Sequence, residues 1–171
     1  MIQLLHKSRL RLLVILAAGI AVAGIFYQGT RPGKESNTAS HEVTRWLEGG
    51  LNTLGVSVDD YHFHKRVRKT AHCIEYGLAG LLIAWCMIIF LPGRPLIQLW
   101  GSILCICFLA FLDEYIQGWL ERTRKIEDAE LDIFAASLSI ILLVTLHLFR
   151  ALRTAKTIEE KAAEENQPSE K

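Results

Sequence analysis

Phe111-Leu112-Asp113-Glu114-Tyr115-Ile116-Gln117 sets two carboxylates and an amide at the end of a long apolar segment. A charged side chain near the centre of a membrane costs about 2.5–3.5 kcal/mol on the insertion scale, so such residues are rare unless partners meet them. Asp113 and Gln117 are four residues apart, and Glu114 and Gln117 three, so a helix presents all three on neighbouring faces. Partners stand on both sides in the sequence: His72 and Glu75 in the apolar segment before, Asp132 in the segment after. The stretch marks a polar site inside an all-α membrane protein.

Around it, half of the 171 residues are apolar, and they come in blocks rather than in the periodic pattern of a soluble domain. Four blocks approach the roughly 20 residues that cross a bilayer: Leu12 to Tyr27, Ala71 to Leu91, Leu96 to Leu112, and Leu131 to Phe149. Four transmembrane helices are expected. A net charge of +1 gives no electrostatic case for nucleic acid. The basic runs near Lys65–Lys69 and Arg122–Lys125 read as juxtamembrane anchors. Cys73, Cys86, Cys105 and Cys107 all fall in apolar blocks, where cysteine behaves as a small hydrophobe; they form neither a disulfide framework nor a zinc pattern.

Lys7, Arg9 and Arg11 precede the first block, which marks a cytoplasmic start. The block also has the outline of a cleavable signal peptide. Its extension through the aromatic pair Phe26-Tyr27 favours an uncleaved anchor. Gly29 to Ser40 has loop composition. From Val43 onward, Val43, Trp46, Leu47, Leu51 and Leu54 recur at helical spacing, which predicts a short amphipathic helix. Such a helix lies either at the membrane interface or against the bundle. His62 and His64 are two apart with no nearby third ligand, so they read as surface or headgroup contacts. Leu91-Pro92-Gly93-Arg94-Pro95 is a tight turn between antiparallel spans, with Pro95 suited to a first helical turn. The connection Glu121 to Glu130 is charged and short. Arg150, Arg153 and Lys156 after the fourth block agree with a cytoplasmic C-terminus, and residues 157–171 form a polar tail.

In this topology span two begins, span three ends and span four begins on one side of the membrane. His72, Glu75, Asp113, Glu114, Gln117 and Asp132 each sit within about two turns of their helix end at 1.5 Å per residue. They can therefore share one layer, with Tyr76, Arg122 and Arg124 joining it. A network that only fastens helices is one reading of that layer, and Asp132 as a simple helix cap is part of it. A ligand-binding or catalytic site is the other. Metal ligation by His72, Glu75 and a span-three carboxylate is chemically open, although no metal or other cofactor is expected. The phosphate loop, the Gly-x-Ser-x-Gly elbow and the His-Glu-x-x-His pair are missing, which excludes only the familiar soluble mechanisms.

Lys69-x-x-His72-x-x-Glu75-Tyr76-Gly77, then Asp113-Glu114-x-x-Gln117, an arginine-bearing loop, and Asp132 opening the last span together resemble the VanZ-like family of small bacterial membrane proteins. The segment Gly29 to Ser40 resembles the family's serine-containing stretch. The chain departs from the family where Leu120-Glu121-Arg122-Thr123-Arg124 replaces a Pro-Gly-Arg turn, and where Ala136 and Ser139 replace an asparagine and a glycine. The resemblance implies four helices in the bacterial inner membrane, with residues 1–28 as anchor and 29–66 as outer loop with the amphipathic helix. It further implies a three-helix core at 67–150 and a cytoplasmic tail at 151–171. The family's namesake is associated with resistance to teicoplanin, a lipid-bearing glycopeptide. The implied partners are membrane lipids and a lipid-linked glycan or lipoglycopeptide. A membrane hydrolase or transferase and a structural envelope subunit are the alternatives.

Overall fold

The computed structural model describes residues 2–31, 33–56, 60–119 and 126–165. They form five helices: α1 (Ile2–Thr30), α2 (Gly33–Thr53), α3 (Asp60–Phe90), α4 (Pro95–Trp119) and α5 (Ile126–Glu165), with no strand among the described residues. Ser8–Thr30, His62–Phe90, Pro95–Trp119 and Glu127–Ala163 are long and apolar enough to cross a membrane. By length and composition the chain is a multi-pass membrane protein.

The distribution of side chains agrees. The buried face of α4 reads Gln98, Ser102, Ile106, Ala110, Asp113 and Gln117, a three- or four-residue repeat that keeps to one side of a helix. The buried face of α5 reads Ala129, Asp132, Ala136, Ile140 and Val144. The bulkiest apolar groups point outward instead: Leu104 and Phe108 on α4 are each 67% exposed and Phe134 on α5 is 62% exposed. Apolar cover on this scale, all round a bundle, exceeds what soluble monomers leave in water. Acyl chains are as apolar as leucine and impose no such penalty, so small and polar residues are left to hold the helices together.

Helix α3 is the hub and packs on every other helix, while α1 and α5 each lie against both members of the α3–α4 pair. Small residues set the closest approach. A Cβ on Gly80 would stand 2.9 Å from the Ala136 carbonyl oxygen, and one on Gly77 would stand 3.3 Å from Ser139 Oγ. Ala136 and Ser139 are thus the residues seated against these glycines. At the far end the expected turn is present: Gly93 takes φ +75°, and α4 begins at Pro95. The buried Gln98 donates from Nε2 to the Leu91 carbonyl at 2.8 Å, tying the turn to α4. All four cysteines are free.

Three sequence expectations are corrected. The stretch Gly29–Ser40 is not a loop: α1 continues to Thr30 and α2 starts at Gly33. Accordingly α2 is not short but 21 residues long. Loop composition is a local preference of a few tenths of a kcal/mol per residue, about what packing against α3 overrides. The connection before span four is also shorter than Glu121–Glu130. α5 starts at Ile126, with Glu127 and Asp128 in its first turn, where acids complement the helix dipole. Asp132 therefore lies beyond the first turn and does not cap the helix. Finally, His64 also has partners within the protein. Its ring stacks on His41 of α2 with centroids 3.9 Å apart, and its Nδ1 lies 3.1 Å from Thr44 Oγ1. Thr44 already donates to the Ser40 carbonyl at 2.8 Å, so His64 Nδ1–H is the donor to the threonine. His62 remains exposed.

The Gly80 contact yields a direct test. Gly80→Ala, which drives a methyl against the Ala136 backbone, should destabilise the bundle by about 1–3 kcal/mol in an unfolding titration with denaturing detergent. Gly24→Ala, whose Cβ meets nothing within 4 Å, should be neutral or gain up to about 1 kcal/mol from helix propensity.

Candidate functional site

The end of the bundle where α1 and α4 finish and α3 and α5 begin gathers most of the residues singled out above. Asp113 is its centre. It is 3% exposed, with Oδ2 accepting from Gln117 Nε2 at 2.7 Å and from Tyr76 Oη at 3.3 Å. The four-residue spacing of Asp113 and Gln117 produces the first bond within α4. The second crosses to α3, where Tyr76 has no exposed surface. Both donors are needed, because a carboxylate buried without them costs several kcal/mol.

On the α5 side, Asp132 is 4% exposed and its Oδ2 faces His72 Nδ1 at 3.9 Å. Its other oxygen, Oδ1, is buried with no hydrogen-bond partner among the described residues. Asp113, Asp128, Glu114 and Glu75 all lie close enough to act on it electrostatically. One turn outward, Lys69 Nζ lies 3.5 Å from Asp128 Oδ1, a half-exposed pair that joins α3 to α5. Glu75 is part-buried and also near enough to act on Asp132, and Glu114 is near enough to act on Tyr76.

His72, Glu75, Tyr76, Asp113, Glu114, Gln117 and Asp132 therefore come together as the topology requires. Arg122 and Arg124 lie outside the described residues. Among the described residues no three His, Cys, Asp or Glu side chains converge as a ligand set for a metal ion.

Two further members come from α1. Gln28 Nε2 donates to Glu75 Oε1 at 2.6 Å. Gly29 lies against Asp113, and a Cβ there would run into the carboxylate. A signal for both was available. Span one ends on the same side as span three, so the rule that assembled the other residues also places Gln28 and Gly29 there. Treating the first span only as an anchor hides them.

This arrangement satisfies Asp113 Oδ2 from within and leaves Asp132 Oδ1 without a hydrogen-bond partner among the described residues, so the layer has acceptor capacity beyond these bonds. The Asp113–Gln117 bond can be tested by a double-mutant cycle. Gln117→Leu should cost about 1–3 kcal/mol of unfolding free energy, because it strands a buried acceptor. Adding Asp113→Leu should recover only part of that loss, since it removes the stranded acceptor but leaves the buried Tyr76 hydroxyl without it. Comparison with protein-family models, characterised proteins and solved structures finds no match to the chain.

Proposed function

We propose that this chain is a VanZ-like protein of the bacterial inner membrane that binds or modifies an amphiphilic envelope component at its polar layer. The ligand is a lipid headgroup, a lipid-linked glycan or a lipoglycopeptide, and the native role extends to glycopeptide tolerance of the teicoplanin type. Both termini are cytoplasmic in this reading, so the layer faces outward. The observation that carries it is the unmatched acceptor capacity. Three helices of the core and the end of α1 converge on one group of ionisable side chains, and Asp132 Oδ1 keeps a buried lone-pair site with no donor among the described residues. Fastening alone would favour closing that site, because a stranded acceptor lowers stability.

Helix α2 fits the same reading as an interfacial element. Val43 and Trp46 are exposed on it, Trp46 at 78%, and Leu54 just past its end is 77% exposed, while Thr44 turns inward to α3. An exposed tryptophan on an amphipathic helix suits the headgroup region. The rest of the interior argues against a conduction path. Between Ser102 and Asp113 the buried face of α4 carries only Ile106 and Ala110. That is about 16 Å of helix rise, faced by Ala79, Ala84, Ala136 and Ile140, all buried. The layer belongs to one end of the protein.

A second reading is supported by the His72–Asp132 pair. A buried carboxylate oriented toward an imidazole is the arrangement of a general base, and such pairs are often long in the absence of substrate. In that case the protein is a membrane hydrolase or transferase acting on lipid-linked substrates, and product formation rather than binding is the readout.

The test uses purified protein in lipid nanodiscs with a lipoglycopeptide and its deacylated form, followed by tryptophan fluorescence. The acylated form should bind selectively, and Glu75→Gln and Glu114→Gln should each weaken it by about tenfold or more, the value of one charge-assisted hydrogen bond, with membrane insertion unchanged. Unaltered binding in both variants would remove the layer from the site.

A further inference from the structure

The chemistry of the layer narrows the ligand further, on the reading that an amphiphile binds there. Its side chains are Gln28, His72, Glu75, Tyr76, Asp113, Glu114, Gln117 and Asp132. Glu75, Asp113, Glu114 and Asp132 are carboxylates, and His72 is the one group among them that forms a cation. The amide donors are already engaged inside the layer, Gln28 on Glu75 and Gln117 on Asp113, and the Tyr76 hydroxyl is given to Asp113. Lys69, one turn outward, is taken up by Asp128.

Asp132 is the telling member. It is more than nine-tenths buried, carries an oxygen without a hydrogen-bond partner among the described residues, and lies within electrostatic reach of Glu75, Asp113 and Glu114. An anionic group brought to this place would add acceptors to acceptors, and a neutral hydroxyl or amide would bring a donor but no charge to set against the carboxylates. An ammonium supplies several N–H donors and a positive charge in one compact group, and a carboxylate accepts both.

We infer that the layer recognises the primary ammonium group of an amine-bearing amphiphile, with Asp132 Oδ1 and the Glu75 carboxylate as its acceptors. The amine belongs either to an ethanolamine-type lipid headgroup or to an amino sugar on a lipid chain; the chemistry at the protein is the same. Glu75 is part-buried and so stands on the approach from solvent, whereas Asp132 is the inner contact.

The experiment places the full-length protein in phosphatidylcholine nanodiscs, whose quaternary headgroup has no N–H to donate. Two matched pairs of probes are titrated in and followed by native mass spectrometry. One pair is short-chain phosphatidylethanolamine and its N-acetyl derivative; the other is an alkyl glucosaminide and the alkyl N-acetylglucosaminide. In at least one pair the free amine should bind about tenfold or more tightly than its acetylated partner, as expected for a charge-assisted hydrogen bond. The pair that discriminates identifies the source. Asp132→Asn and Glu75→Gln, both isosteric, should each erase the preference while circular dichroism shows an unchanged helix content. If Asp132→Asn does not fold, the part-buried Glu75→Gln decides alone. Equal binding of amine and acetylated forms would overturn the ammonium assignment and leave amphiphile binding standing. A preference that survives both variants would move the amine away from this layer. If none of the four probes binds, the ammonium inference fails; if the lipoglycopeptide also does not bind, amphiphile binding falls with it.

Discussion

The Asp113 carboxylate lies inside a bundle whose outer surface is suited to hydrocarbon, and its surroundings are the constraint to which the other helices answer. An ion in that setting is tolerated only when donors reach it and backbone leaves room for it. α4 supplies Gln117 one turn away, α3 supplies the Tyr76 hydroxyl, and α1 supplies a glycine so that the chain can pass close to the carboxylate. One buried group thus fixes the relative positions of three helices. The fourth is set by size: Gly80 and Ala136 admit α5 to within backbone contact of α3.

Much of this was legible in the sequence, because hydrophobic blocks and polar interruptions are strong signals. α4 reads through Gln117 and Trp119 as the sequence suggests, and the Pro-Gly-Arg-Pro turn is where Gly93 and Pro95 require it. The gathering of His72, Glu75, Tyr76, Asp113, Glu114, Gln117 and Asp132 follows from counting helix ends. What escaped was tertiary. The helix over residues 33–40 is continuous with a segment held to α3 at His41 and Thr44, which no local composition reports. The His41–His64 stack joins residues 23 positions apart, so neighbouring spacing did not disclose it. Gln28 is an exposed residue near the end of an apolar helix, and nothing in its immediate sequence sets it apart.

The inside-out packing also clarifies how a polar layer coexists with stability in such a small protein. Helices in lipid gain little from hydrophobic contact with one another, so their association depends on close backbone approach and on hydrogen bonds between side chains. Here the two devices are divided along the bundle. The middle is held by alanine and glycine, and the ionisable groups are concentrated at one end. Changes in that end can alter what it binds while the alanine and glycine contacts keep the helices in register.

The apolar stretch around Ile106 and Ala110 has an electrical consequence. A membrane potential falls almost wholly across the low-dielectric part of a bilayer, where moving one elementary charge through the full drop is worth about 2.3 kcal/mol per 100 mV. A charge held at the Asp132 layer has that stretch, about half of a roughly 30 Å hydrocarbon core, still between it and the opposite face. A cation bound there would feel the potential only through the part of the drop between the layer and the adjoining compartment.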